Sequence, residues 1–270
     1  FWLIPFVYGI AMSVTKYSLI QGNKGFVGFA NYIKILFSSS MYHKSFIQGL
    51  SNTVIFVVLT TPFLVFGSLF LALLLDRLPE RLKGIFRTIY FASYSVSVTA
   101  VAAVFVWLMK GNGGYFNNML LSMGIIKSPI PWMEQQPFVW VALTVATVWW
   151  TIGYNMMLFV NALNEIDTNL YEASAMDGAG FWVQLRYIIL PNIKNVFFFV
   201  LMTTIIASFN VYGQPRLMTK GGPGETTKPL IMMITSTIMD RNAMTILMGV
   251  VIILCSVGQY YLTKEKDNLK

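Results

Sequence analysis

Apolar runs of about twenty residues recur along this chain, separated by shorter polar stretches. A bilayer core about 30 Å thick needs about 20 mostly apolar residues per helix, and a helix satisfies all of its backbone hydrogen bonds internally. The pattern therefore predicts an all-α polytopic membrane protein. Six segments meet the length requirement: 1–20, 54–75, 88–109, 138–160, 193–212 and 246–262.

Three apolar segments need separate interpretation. Residues 94–99 alternate as a strand would, but they lie inside an uninterrupted 22-residue run, so we predict one helix over 88–109. Segment 1–20 begins without Met and is interrupted by Lys16, so we expect the true N-terminus to lie upstream. The stretch 229–239 is too short to span, and we expect it at the membrane interface.

Composition supports the membrane assignment and narrows the chemistry. Hydrophobic residues make up 56% of the chain and charged residues only 11%, against about 25% in soluble domains. The basic residues flank the apolar runs, which favours contact with membrane lipid over nucleic acid. A lone Cys255 and a lone His43 allow neither an internal disulfide nor a zinc site. No metal or cofactor is expected, and the glycine-rich stretch 221–224 lacks the rest of a phosphate loop.

The connectivity of six spans fixes which loops share a side. Both chain ends would lie on the same side of the membrane as loops 76–87 and 165–191. Lys and Arg number nine on that side and ten on the other, so totals do not decide orientation. Four basic residues crowd the 12-residue loop 76–87, and this density favours a cytoplasmic location. No repeat or linker divides the chain, so 1–270 is predicted to be a single domain.

The polar segment 165–191 is broken by glycines between two predicted spans. Asp167 and Thr168 are suitable N-caps for a short helix, because their side-chain oxygens can accept from its first amides. Gly178 and Gly180 allow the chain to reverse, because glycine adopts positive φ without steric cost. A second helix would begin near Phe181. The segment therefore predicts a helical hairpin, although any single residue of it also fits an ordinary loop.

The spacing of residues 172–191 resembles the EAA motif of ABC importer permeases. Ser174 stands where that family usually has its second alanine. The resemblance implies that the hairpin docks into a cytoplasmic ATPase, while Asp177 has a local capping role as an alternative. Pro191 also suits the first turn of the next membrane helix. The residues carried over as ATPase-coupling candidates are Glu172, Ala173, Ala175, Asp177, Gly178, Leu190 and Pro191.

Shorter pieces extend the resemblance over nearly the whole chain: FVGFANY at 26–32, RLKGIFRTIYF at 81–91, GYNMMLFVNAL at 153–163 and TKGGPGETT at 219–227. Together they resemble carbohydrate importer permeases of the maltose-transporter type. This resemblance implies a six-helix subunit of a bacterial cell membrane. It implies as partners a second homologous permease, two ATPase subunits that bind ATP and Mg, and an extracytoplasmic solute-binding protein.

Hydroxyl and aromatic side chains recur along one stripe of segment 138–160 and one turn apart in segment 193–212. Aromatic rings cover the apolar faces of a pyranose, and hydroxyls satisfy its polar rim. The resembled family has sugar contacts in these two helices and can carry a tyrosine at position 154. Alternatively, the hydroxyls bond to carbonyls one turn back and the indole packs. The candidate substrate-binding residues are Thr147, Trp150, Thr151, Tyr154, Thr204 and Ser208.

Several functions remain open at this stage. The leading prediction is a non-enzymatic permease subunit that forms half of a sugar pathway, with glycerol phosphate or another polar solute as an alternative cargo. A secondary transporter or channel is disfavoured, because the predicted spans carry no acidic residue for proton coupling. A membrane enzyme would need a nucleophile or paired carboxylates within reach. Loop 221–224 would face outward and meet the binding protein, or form a plain turn.

Overall fold

The computed structural model describes residues 1, 3–18, 22–237 and 241–268, and helices dominate it, as predicted. The elements up to the middle of the chain are α1 Leu3–Ser13, β1 Thr15–Ser18, β2 Gly22–Phe26, α2 Ala30–Phe37, α3 Met41–Asp76, α4 Glu80–Ser95, α5 Val98–Leu108, α6 Tyr115–Ser122 and α7 Phe138–Asn164. The rest are α8 Thr168–Met176, α9 Phe181–Gln184, α10 Leu190–Asn192, α11 Lys194–Phe209, α12 Leu230–Ser236 and α13 Arg241–Asn268. The π-helical segments are Leu185–Ile189 and Pro215–Thr219.

Three helices are long and apolar enough to cross a membrane: α3, α7 and the Arg241–Tyr261 part of α13. They confirm the spans predicted over 54–75, 138–160 and 246–262. At about 1.5 Å per residue, α3 is about 54 Å long and exceeds the bilayer core. Its N-terminal half therefore extends beyond the membrane or tilts strongly within it.

The predicted single helix over 88–109 is wrong, because α4 and α5 meet at an angle of 96°. Val96 is extended (ψ 138°), and the Ser97 side chain caps α5 by accepting from the Ala100 amide at 3.3 Å. Serine hydroxyls compete with helical hydrogen bonds, so the pair of serines around Val96 favours this break. The alternation at 94–99 marked the break without forming a strand.

A second bend of 70° separates Phe181–Asn192 from α11. The span predicted over 193–212 forms its helix over Lys194–Phe209. Pro191 lies in α10, on the near side of the bend at Ile193, so its predicted place in the first turn of the spanning helix is wrong. The missing proline amide is instead accommodated where one helix ends and the next begins.

The helix predicted over 1–20 is also wrong, because α1 ends at Ser13 and the chain enters the antiparallel hairpin β1–β2. Residues 2, 19 and 20 of that prediction lie outside the described residues. In the stretch 229–239, α12 packs against α3, residues 238 and 239 lie outside the described residues, and the predicted interfacial location remains a prediction. A Cβ at Gly49 would lie 2.9 Å from the Leu230 Cα, so the two backbones touch.

The core is built where α3, α7 and α11 meet, around residues such as Leu69, Phe159 and Val200. Helix α4 packs against α7. A Cβ at Gly153 would lie only 2.0 Å from the Tyr90 carbonyl oxygen, so only glycine permits this approach. Close packing of small residues is the usual basis for helix association in lipid. This contact fixes α4 against one wall of the site described next.

Candidate functional site

A cavity of about 350 Å³ lies between α7, α11 and the break between α4 and α5. The candidate residues on α7 and those on α11 line this cavity from two sides. Periodicity placed each set on one helix face, and helix packing brings both faces to the same space. All six candidate substrate-binding residues line the cavity: Thr147, Trp150, Thr151, Tyr154, Thr204 and Ser208. Their binding role remains a prediction.

Three aromatic rings form one wall of the cavity. Tyr94 stacks on Tyr154 with ring centroids 5.0 Å apart and lies 6.1 Å from the Trp150 ring. The Trp150 Nε1–H donates to the Val96 carbonyl at 2.9 Å and thereby satisfies a carbonyl freed by the break. The Tyr94 and Tyr154 side chains are 42% and 40% exposed, so their rings remain available to a ligand.

Most threonine hydroxyls of the cavity donate hydrogen bonds to backbone carbonyls of their own helices. Thr147 donates to the Leu143 carbonyl at 2.8 Å, and Thr151 donates to the Thr147 carbonyl at 2.8 Å. Thr203, another lining residue, donates to the Phe199 carbonyl at 2.9 Å. The alternative interpretation of back-bonding is therefore correct for the hydroxyl protons of Thr147 and Thr151. Each oxygen keeps lone pairs, so the wall presents hydrogen-bond acceptors.

Sequence reasoning missed the hydrogen bond that joins the two helices. The Asn155 Nδ2 donates to the Thr204 Oγ1 at 2.9 Å, and the two residues are only 6% and 5% exposed. Asn155 follows Thr151 by one turn on the predicted stripe, so periodicity could have found it. Tyr94 and Gln214 were also missed, because Tyr94 lies in the last turn of α4 and Gln214 directly before the π-helical segment 215–219, outside the two helices where periodicity was considered.

The cavity is uncharged and its lining is mainly apolar, with hydroxyl and amide groups at a few positions. None of its described lining residues is Lys, Arg, Asp, Glu or His. Among the described residues of the chain, no group of three His, Cys, Asp or Glu is arranged to hold a metal ion. The arrangement suits a neutral solute with an apolar face and hydroxyl donors.

The predicted hairpin forms over 168–192. Asp167 is the N-cap of α8, and its side chain accepts from the Asn169 amide at 2.9 Å, while Thr168 is the first helical residue. Gly178 has φ +74° and ends the helix, as expected for a residue that must adopt the left-handed region. Gly180, at φ −75°, is the N-cap of α9.

The coupling candidates lie on the outside of this hairpin. Glu172, Ala173, Ala175, Asp177, Gly178, Leu190 and Pro191 are all exposed. Met176 and Trp182 beside them are 84% and 77% exposed, so the hairpin presents apolar surface as well as charge. Asp177 is the C-cap of α8, and its side chain forms no hydrogen bond with the described residues. The coupling roles remain predictions.

The hairpin is attached firmly to the rest of the subunit. The Arg77 guanidinium, at the end of α3, lies 3.8 Å from the centre of the Phe181 ring. Ser174, the departure from the EAA pattern, accepts from the Gln184 Nε2 at 2.9 Å and joins the two arms. Tyr171 packs against the core; burial, and to a lesser degree Asp76, raises the pKa of its hydroxyl.

In the N-terminal half of α3, buried polar side chains hold the loop 221–229. The Asn52 Nδ2 donates to the carbonyls of Glu225 and Lys228, both at 2.9 Å. The Thr53 Oγ1 accepts from the Leu230 amide at 2.9 Å. These bonds attach the loop to α3. Contact with a binding protein remains a prediction.

A mainly helical membrane chain with an uncharged cavity between its long helices and an exposed hairpin anchored to its core has the architecture expected of a transport permease. A family model described as "Binding-protein-dependent transport system inner membrane component" matches residues 34–263. The chain belongs to this family of ABC importer permeases. It is accordingly a transport component of a membrane and not an enzyme.

Named relatives and a solved structure agree with the assignment. The chain is 32% identical over 230 residues to the lactose transport system permease protein LacF of Rhizobium radiobacter, covering 82% of this chain and 77% of LacF. It is 30% identical over 235 residues to the sn-glycerol-3-phosphate transport system permease protein UgpA of Rhizobium meliloti, covering 86% and 75%. A crystallised bacterial ABC transporter that imports alginate shares the fold at 19% identity, with a TM-score of 0.82 over 98% of this chain and 90% of that one.

Proposed function

We propose that this chain forms half of the translocation pathway for a neutral sugar or oligosaccharide and is driven by a cytoplasmic ATPase through the hairpin 165–191. The observation that carries the cargo assignment is the uncharged cavity with its aromatic wall and hydroxyl acceptors. The name of the LacF relative supports a sugar. The second homologous permease would line the other half of the pathway.

The aromatic wall and the acceptors would act on different parts of the cargo. Tyr94 and Tyr154 present ring faces that match the C–H face of a pyranose. Thr147 and Thr151 present acceptors to sugar hydroxyls, which are good donors. Polar side chains within membrane helices usually face a pathway or the protein interior and not lipid, which supports a pathway role for these hydroxyls.

Coupling would be mechanical. Two ATPase subunits that bind ATP and Mg would seat the hairpins, with Glu172 forming a charge-assisted hydrogen bond and the small Ala173 and Ala175 permitting close approach. The attachments of Arg77 and Ser174 support transmission, because the hairpin would move together with the core. An extracytoplasmic binding protein would deliver the solute to the opposite face.

A phosphorylated polyol is the second candidate cargo, favoured by the resemblance to UgpA. An anion of this kind requires cations or amide donors where its charge rests. The described lining residues of this subunit include no Lys or Arg. We therefore propose the neutral sugar in preference to glycerol phosphate.

The experiment is a reconstituted complex of this chain with its permease partner, ATPases and binding protein. ATPase stimulation is measured with the binding protein loaded with neutral oligosaccharides or with glycerol 3-phosphate. Stimulation by a neutral sugar alone supports the proposal. Stimulation by glycerol phosphate alone overturns the cargo, and a chain that purifies without an ATPase overturns the coupling.

Coupling is tested by Glu172→Ala and Gly178→Ala, and we expect assembly or uptake to fail in both. An alanine at φ +74° costs about 1–2 kcal/mol and misdirects the turn, although its Cβ would meet no atom within 4 Å. Gly180→Ala is the matched control, because Gly180 is also exposed and unobstructed but has a negative φ. Normal uptake in both test variants contradicts the coupling role.

A further inference from the structure

We propose that an apolar surface on the extracytoplasmic side of this chain anchors α2 in the outer leaflet and binds anionic phospholipid. This anchor face consists of Phe26, Phe29, Ile33, Phe37 and Met41, which are 78%, 73%, 58%, 79% and 81% exposed. It lies at the end of α3 opposite the coupling hairpin. Neither the transport pathway nor the hairpin uses it.

The anchor face is one side of an amphipathic helix. Phe29, Ile33 and Phe37 recur every four residues and therefore share one face of α2. The opposite face is fixed to the protein, with Asn31 7% and Ile35 0% exposed. Ile35 packs in a cluster with Phe46 of α3. Because the inner face is fully occupied, the exposed face cannot turn inward.

The hydrogen bonds of Asn31 set the height of α2 relative to the membrane. The Asn31 Nδ2 donates to the Ser13 and Thr15 carbonyls at 2.8 and 2.9 Å, at the point where α1 ends. Helix α1 is apolar, packs against the spanning helix α13 and exposes large side chains such as Ile4. The anchor face is thus held level with the end of a lipid-exposed helix, where the acyl region meets the headgroups.

Charge identifies the lipid. Residues 1–75 contain four lysines and no acidic residue. Lys24 and Lys44 are exposed and lie in the two elements that flank α2. An amphipathic helix with an apolar face and a lysine-rich surround is the pattern of an interfacial anchor on an anionic surface. Near such a surface each lysine contributes about a fivefold preference for anionic lipid.

The test places a nitroxide at Ile33→Cys in a Cys255→Ser background of the assembled importer, in vesicles of phosphatidylcholine with about a third phosphatidylglycerol. We expect strong relaxation by oxygen, which partitions into lipid, and weak relaxation by a water-soluble nickel chelate. Glu134→Cys, exposed in the loop before α7, is the aqueous control. High nickel access at Ile33 overturns the proposal in favour of water, and protection from both reagents overturns it in favour of a protein partner.

The lipid preference is tested separately with Lys24→Gln and Lys44→Gln. In the unaltered chain, a fluorophore at Ile33→Cys should be quenched more strongly by brominated phosphatidylglycerol than by brominated phosphatidylcholine, and this dependence on headgroup measures the preference for the anionic lipid. Each substitution should lower the preference for the anionic lipid about fivefold. An unchanged dependence in the double variant overturns the anionic assignment. Transport activity does not enter either readout, so both tests are independent of the proposed cargo.

Discussion

Replacing Gly153 by alanine is the most direct test of how α4 forms the cavity wall. The added Cβ would lie 2.0 Å from the Tyr90 carbonyl oxygen and 2.5 Å from its carbon. Distances below 3.0 Å do not occur for real Cβ atoms, so α4 must move away from α7 by about 1 Å. Both groups are backbone, and no rotamer change relieves the clash.

The displacement would also break contacts that depend on this approach. The bond from the Trp150 Nε1 to the Val96 carbonyl, now 2.9 Å, would exceed hydrogen-bonding distance. Overpacking costs about 1–3 kcal/mol, and loss of a hydrogen bond costs about 0.5–1.5 kcal/mol. We therefore expect Gly153→Ala to destabilise the subunit by about 2–4 kcal/mol and to separate Tyr94 from Tyr154.

The assay compares thermal unfolding of the purified complex with ATPase stimulation by the loaded binding protein. Gly84→Ala is the control on α4 itself, because a Cβ there meets no atom within 4 Å. Alanine improves helix propensity by about 1 kcal/mol over glycine, so the control should be neutral or stabilising. A Gly153→Ala complex with unchanged melting temperature and stimulation would refute the packing argument.

Two further substitutions test buried polar groups. Asn155→Ala should destabilise the protein by about 1–2 kcal/mol, because it removes the donor to Thr204. The free energies of unfolding of Asn155→Ala, Thr204→Val and the double variant check this. Losses that add exactly in the double variant would contradict the hydrogen bond. Tyr171→Phe should be neutral or stabilising near pH 8, because the buried Tyr171 hydroxyl has no hydrogen-bond partner among the described residues. Folding raises the pKa of Tyr171 above its unfolded value, which is near 10. The folded protein should therefore lose stability as the pH rises through that value, because the unfolded chain releases the Tyr171 proton more readily. Tyr171→Phe should lose less stability between pH 9 and 11, and equal losses in both proteins would contradict the pKa argument.

The sequence was sufficient to predict those elements whose structure depends on one physical rule. Long apolar runs predicted α3, α7 and most of α13, because a lipid environment leaves a helix as the only conformation for an isolated segment. The hairpin was predictable from Asp167 and Gly178, since N-caps and positive-φ glycines have few alternatives. The stripe on α7 was predictable because helical periodicity fixes which residues share a face.

The predicted helices were wrong where the length of a segment and its local side chains favour different structures. At Val96 the length of the apolar run argued for one helix, but local serine hydroxyls and the Trp150 indole stabilise the break. After Ser13 the apolar run gives way to Thr15, Lys16 and Ser18, yet we predicted a helix as far as residue 20, and the chain instead pairs as a β-hairpin. Tyr94 and Gln214 reach the cavity only through tertiary packing, so no local pattern identified them.

The threonine hydroxyls of the cavity have a kinetic consequence for transport. Because Thr147 and Thr151 donate their hydroxyl protons to backbone carbonyls, they would contact a solute in the proposed pathway only as hydrogen-bond acceptors. Such contacts are individually weak, and the described lining adds no ionic bond to strengthen them. A pathway must let its cargo leave as readily as it enters. A wall of this kind favours a short dwell time over tight capture, and leaves selection to whichever subunit meets the solute first.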